Sequence, residues 1–408
     1  MNKIITSLFL LVVLTSSAQT ADTIYTQGGA MDVYYDFESK SKVEVDRATW
    51  DIGLTTDGRG ASIIINENGG VELYLYSTDT ADWSSVDTTG FDFKNIYNSE
   101  STWNAGAFAN QGTVHPDYGW GIYDMNRHDI NGNRLFILKT KEGEYLKVVI
   151  DQMSSMGVYK FRTASLDGSN LEEYVYAKNT PESLGKNFAL LDLDGGDFVF
   201  DNPVSKDWDI LFTKYTTTVS QGPTTLDLSV GGVKINAGCQ VAERLGTDVA
   251  SDDTSSLSWD GNITQIGWDW KTFNRTTFVY DITPDLAYFV RTQNGAVYKI
   301  WFTDYTASSA NYFFNTKQIK EGLASTKEVT KLNTTVYPNP TKDVLNINNK
   351  ENETLTISLV NIQGVEVLNS SVRANSTQTI STTDLAKGVY FLNLRTSNTS
   401  NTQRVIFE

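Results

Sequence analysis

Apolar residues along this chain fall in short runs in which Val, Ile, Thr, Tyr and Phe alternate with polar residues, and clusters of Gly, Asn, Asp and Ser break the runs. A period of two is what a half-buried strand requires, so the pattern predicts an all-β fold of antiparallel strands. No long stretch carries the helical period. Ser62 to Asn66, a turn at Asn68-Gly69, and Val71 to Tyr76 read as a hairpin, because Asn-Gly tolerates the positive φ of a tight turn. Thr225 to Val230, Gly231-Gly232 and Val233 to Asn236 read as its counterpart. A second hairpin is expected from Leu135 to Thr140, a turn at Glu142-Gly143, and Tyr145 to Ile150. Its counterpart runs from Ala287 to Thr292, turns at Asn294-Gly295 and returns from Val297 to Phe302.

These pairs belong to a larger repetition. Trp50-Asp51-Ile52 recurs as Trp208-Asp209-Ile210, and the same landmarks follow each copy in order. Gly69-Gly70-Val71 answers to Gly231-Gly232-Val233, Gly119-Trp120 to Gly267-Trp268, and the run from Leu135 to the run from Ala287. Val33-Tyr34-Tyr35-Asp36-Phe37 precedes the first copy, and Ala189-Leu190-Leu191-Asp192-Leu193 the second. The chain therefore reads as two tandem antiparallel β units, residues 30–178 and 186–318, with a short link around Pro181.

Both ends differ in texture. Lys3, the apolar stretch from Ile4 to Leu14 and the small residues Ser16-Ser17-Ala18 predict a secretory signal over residues 1–18. No other segment approaches the roughly 20 apolar residues of a spanning helix, so no transmembrane segment is expected in the mature chain. Residues 319–334 are rich in Lys, Glu, Ser and Thr and read as a linker. From Thr335 the aromatics thin out and short aliphatic strands dominate, which predicts a small Ig-like β-sandwich of about seven strands over residues 335–408.

A net charge of −16 argues against nucleic acid or anionic lipid as partners. The single cysteine, Cys239, has no partner for an internal disulfide and reads as a buried thiol.

The last segment carries Tyr337-Pro338-Asn339-Pro340, Val344-Leu345-Asn346-Ile347, Asn361-Ile362-Gln363-Gly364 and Leu385-Ala386-Lys387-Gly388-Val389-Tyr390-Phe391-Leu392, in that order. In these motifs it resembles the C-terminal sorting domain of type IX secretion in Bacteroidota. The resemblance implies the type IX machinery as a partner and a secreted or outer-surface location. In the second repeated unit, Trp208 to Tyr215, Tyr288 to Thr292, Gly295 and Tyr298 to Tyr305 follow in order, and in the first, Trp50-Asp51-Ile52, Phe136 to Thr140, Gly143 and Lys147 to Ile150. Through these stretches the two units resemble the HmuY family of haem-binding proteins.

That resemblance implies haem as a cofactor, held by an imidazole or thioether. The family places one ligand shortly after a Gly-Trp. Counted from Trp120, this falls near Met125, with His128 close by; counted from Trp268, it falls at Phe273, which cannot ligate iron. The only other histidine is His115. Haem binding is thus expected, if anywhere, in the first unit, through Met125 or His128 with His115, Met153 or Met156.

Two acidic loops, Asp192 to Asp197 and Asp129 to Asn133, place carboxylates and amides at alternate positions about a glycine, an arrangement suited either to calcium or to plain turns. Exposed Trp rings suit stacking on sugars, and Trp268-Asp269-Trp270 reads as a surface pair. No nucleophile–base pairing, phosphate loop or zinc spacing is present, so a non-enzymatic protein is expected. Two readings remain: ligand capture, with haem first, and a surface adhesion or glycan-binding protein.

Overall fold

The computed structural model describes residues 19–221, 224–322, 332–361, 365–383, 385–396 and 400–407. The predicted signal lies outside the described residues, as does the middle of the predicted linker. The fold is all-β, and the chain divides into two compact units, residues 1–323 and 324–408.

The first unit contains two sandwich-like halves, each with its own core. In the first half a sheet led by Glu72–Ser77, Leu135–Lys139, Tyr145–Met153, Val158–Ser165 and Glu172–Ala177 shares a core with a four-stranded sheet. That second sheet is ordered Asp197–Val199, Phe188–Asp192, Ile52–Thr55, Ile63–Ile65. In the second half, Gln240–Leu245, Leu286–Arg291, Val297–Thr306, Asn311–Lys320 and Thr20–Ile24 form the first sheet. Lys42–Asp46, Met31–Tyr35, Ile210–Gln221 and Thr224–Ile235 form the second.

The leading strands have therefore changed places. Met31–Tyr35, which precedes the first Trp-Asp-Ile, pairs with the strand that follows the second, with Tyr35 opposite Ile210. Phe188–Asp192, which precedes the second, pairs with the strand that follows the first, with Leu191 opposite Ile52. Tyr35 and Phe37 are buried among the core residues of the second half, and Leu191 and Leu193 among those of the first. The expected division into residues 30–178 and 186–318 follows the sequence, but it does not follow the cores. Period-two alternation fixes which face of a strand is buried, and it leaves the choice of neighbour open.

The repeated tripeptide is the socket for this exchange. Asp51 N–H donates to the Leu191 carbonyl at 2.8 Å, and its carboxylate accepts from Leu193 N–H at 2.8 Å. Asp209 repeats both contacts, donating to the Tyr35 carbonyl at 2.8 Å and accepting from Phe37 N–H at 2.9 Å. Trp50 and Trp208 are buried beside them. Asn66 and Asn236 close the sockets: each donates its side-chain amide to the carbonyl of its Trp at 2.8 Å.

The later hairpins form as expected, with Lys139 opposite Tyr145 and Arg291 opposite Val297. The earlier ones do not. Ile63–Ile65 pairs with Ile52–Thr55, whereas Glu72–Ser77 pairs with Leu135–Lys139, so the turn at Asn68-Gly69 changes sheets. Gly231-Gly232 is no turn at all, but the middle of one continuous strand. Glycine is required at 232 for another reason. A Cβ there would meet the Gly267 carbonyl oxygen at 2.7 Å, where the backbones of Val233 and Gly267 exchange hydrogen bonds.

The Trp268-Trp270 pair is likewise corrected. Trp270 is 1% exposed and stacks on Phe302 at 3.7 Å. Cys239 is buried, as expected. The second compact unit contains a three-stranded and a four-stranded sheet over one aliphatic core built on Leu345, Ile347, Ile357, Leu359, Leu392 and Leu394. Among the described residues no helix is long and apolar enough to cross a membrane.

Candidate functional site

The predicted haem ligands gather at one place, the hairpin of Gly121–Tyr123 and Ile130–Gly132 and its flank. Met125, His115 and His128 are all exposed there, Met125 at 70%. Tyr123 lies between the two histidines. Its hydroxyl is 2.6 Å from His128 Nδ1, and its ring is 5.5 Å from that of His115. Met153 is instead part of the core, and Met156 is exposed at 84%.

The counterpart hairpin in the second half is Lys271–Asn274 with Val279–Ile282. Asn133 N–H donates to the Trp120 carbonyl and Thr283 N–H to the Trp270 carbonyl, so Trp120 corresponds to Trp270 and not to Trp268. Counting from the right tryptophan, Phe273 replaces Tyr123 and Phe278 replaces His128. His128 and Phe278 share a left-handed backbone, with φ of 60° and 58°, and each donates its N–H to the carbonyl four residues before it.

The acidic loops are turned to internal use. Asp192, Asp194 and Asp51 converge, and the Lys141 ammonium stands among them, 2.5 Å from Asp192, 3.1 Å from Asp194 and 3.4 Å from Asp51. Burial works against that ammonium, but the three carboxylates outweigh it and its pKa is raised. A lysine thus stands where a cation would. Asp129 accepts from Ser155 N–H at 2.8 Å, tying its loop to the turn that follows Tyr145–Met153.

A concavity lies between the two halves. Val33, Tyr35, Ile210, Phe212, Val233 and Ile235 point into one core, so the residues between them, Tyr34, Leu211 and Lys234, point out of it. Leu190 and Ile64 do the same in the first half. The two four-stranded sheets turn these outer faces to a common cleft of about 790 Å³, a volume that includes its open mouth. Trp103, on the long segment before Gly121, reaches across it and donates to the Ile235 carbonyl at 2.9 Å. Its ring lies 5.9 Å from Phe188 and 6.4 Å from Trp208, and Trp208 meets Tyr34 edge-on at 5.0 Å.

Charges are set into these aromatic walls. Arg47 and Asp32, about 5% and 6% exposed, form a salt bridge at 2.5 Å, and Arg47 also reaches the Thr213 hydroxyl and the Lys214 carbonyl. Glu67 accepts from Thr216 N–H at 3.1 Å and Asn98 N–H at 3.2 Å; burial nonetheless raises its pKa. Lys234 is 6% exposed, and its ammonium makes no hydrogen bond or salt bridge with the described residues. Its ammonium lies 4.8 Å from the Tyr215 ring and 5.4 Å from the Trp103 ring, and burial lowers its pKa. Four further buried polar atoms of the cleft residues have no partner: Arg47 Nε, Trp50 Nε1, Asn66 Oδ1 and Asn202 Oδ1. Such an arrangement offers recognition through donors, acceptors and ring faces.

Sequence reasoning passed over this site. Its one available signal was a lysine between Val233 and Ile235, at a strand position where the other half has Ile64.

Residues 335–408 match the family described as the secretion system C-terminal sorting domain. No curated protein matches the chain. The sorting domain marks the protein for the type IX machinery and for secretion or attachment at the outer cell surface.

Proposed function

We propose that this exported protein is a non-enzymatic binding protein whose ligand site is the cleft between its two halves. The observation that carries the reading is the set of unpartnered polar atoms buried among aromatic walls. Unsatisfied buried groups are costly, by about 1–3 kcal/mol each, and native structures keep few of them without a purpose. The resemblance of the repeated units to the HmuY family supports capture of a ligand over turnover. The test is thermal stability against neutral sugars, sugar acids, amino acids and aromatic acids, for the wild type and Trp103→Ala. At least one class is expected to raise the melting temperature of the wild type alone; no shift, or equal shifts in both proteins, refutes the reading.

Haem is the second reading, favoured by the two histidines set about Tyr123. His128, His115 and Met125 supply the donors an iron centre takes. Haemin added to the mature protein is expected to give a shifted Soret band that weakens in His128→Ala, His115→Ala or Met125→Ala. A free-haemin spectrum in the wild type removes it.

A further inference from the structure

The interface cleft is not symmetric, and the asymmetry points to a ligand class. Lys234 lies opposite Leu211 in the second half, as Ile64 lies opposite Gly53 in the first. The fold therefore accepts an aliphatic residue at this position, and the lysine answers no framework need. It is buried, faces the cleft, and has rings rather than carboxylates against its ammonium. Glu67, the nearest acidic group in electrostatic effect, has an oxygen committed to each of two backbone N–H groups. Asp32 is committed to Arg47 and Thr213. A buried ammonium left in this state has room for one oxyanion.

The rest of the lining narrows the ligand further. Trp50 Nε1 and Arg47 Nε are buried donors without a partner, and Asn66 Oδ1 and Asn202 Oδ1 are buried acceptors without one. These acceptors are neutral amides, which suit hydroxyl donors; an ammonium would call for a carboxylate. Trp103, Trp208, Tyr34 and Phe188 give apolar ring surface of the kind that packs on the C–H face of a sugar. Carboxylate, hydroxyls and an apolar face occur together in a sugar acid.

We propose that the cleft binds an acidic sugar unit, with its carboxylate on Lys234, its hydroxyls on the Asn66 and Asn202 amides, and its ring against the aromatic wall around Trp103. This rests on the cleft being the ligand site, and it adds the class of ligand and the residue that selects it.

The experiment is calorimetric titration of the full mature chain with D-glucuronate, D-glucose and phenylacetate, repeated on Lys234→Ile and Lys234→Gln. Lys234→Ile copies the residue of the other half, and its melting curve reports that it folds. D-glucuronate is expected to bind best, and both variants to weaken it about tenfold or more while leaving D-glucose unchanged. Equal binding of glucuronate and glucose, or no loss in the variants, overturns the role of Lys234 and leaves the cleft as a binding site. Phenylacetate binding as tightly as glucuronate overturns the sugar. Failure of all three to bind overturns the acidic-sugar inference; the cleft reading then stands or falls on the wider ligand series and Trp103→Ala.

Discussion

Asp51 and Asp209 hold the exchanged strands through the same two backbone contacts, but among the described residues only Asp51 is in a salt bridge. Lys141 approaches Asp51, whereas Asp209 is 7% exposed, with Asp36 and Glu38 adding like charge and Lys40 only partly offsetting it. Burial pushes the Asp209 carboxyl up to about 7. Its proton is held more tightly in the folded state than in the unfolded one. Its contribution to stability is therefore complete below about pH 4 and is lost as the pH rises through 7. Asp209→Asn is expected to match the wild type at pH 4 and to exceed it at pH 8 by about 2 kcal/mol, roughly half of what the full shift would give. Urea unfolding at the two pH values checks this; a variant less stable at pH 8 refutes it.

The opposite holds on the other side. Lys141→Met leaves Asp51, which is fully buried, without its cation and beside two further carboxylates. A loss of about 3 kcal/mol is expected at pH 7. It should shrink toward pH 4 as the carboxyls take up protons, and a loss independent of pH would mean that packing of the lysine stem matters more than its charge.

The exchange of strands makes a sharp statement about fragments. Residues 47–200 contain every strand of the first core, including Phe188–Asp192 and Asp197–Val199. Residues 30–178 lack those two and retain Met31–Tyr35, whose side chains belong to the other core. Ala189, Leu191 and Leu193 are buried, the two leucines contributing about 2 kcal/mol each. The fragment 47–200 is expected to unfold cooperatively on heating and 30–178 to show no such transition. Cooperative unfolding of 30–178 contradicts the exchange.

Arg47 and Asp32 form the most enclosed ion pair of the cleft. Arg47→Met strands the Asp32 carboxylate and is expected to cost about 3–4 kcal/mol. Adding Asp32→Asn should recover part of that loss, a coupling that a double-mutant cycle reads directly.

Local features were legible in the sequence. The hairpins ending at Ile150 and Phe302 could be read because both strands and the turn lie within sixteen residues of each other. The exchange could not, since nothing in the alternation of Ala189-Leu190-Leu191 names the strand it will join. Gly231-Gly232 misled because a glycine pair signals a turn as readily as a close approach of two backbones. That error also shifted the comparison of the repeats. Once Asn66 is set against Asn236, Lys234 falls on Ile64, and the one charged residue in an aliphatic position becomes visible. The histidines are legible at once, but matching Trp120 with Trp268 instead of Trp270 pairs Met125 with Phe273 and hides the equivalence of His128 and Phe278.

A lone copy of the repeat would carry leading strands with nowhere to dock and a Trp-Asp-Ile socket with nothing in it. Two such copies complete each other, as the subunits of a domain-swapped dimer do. Joined head to tail they are never diluted apart: the tether supplies each with a partner at an effective concentration of about millimolar or more. In a protein secreted or held at the outer cell surface, where a free subunit drifts away, covalent fusion makes assembly independent of how much protein is present.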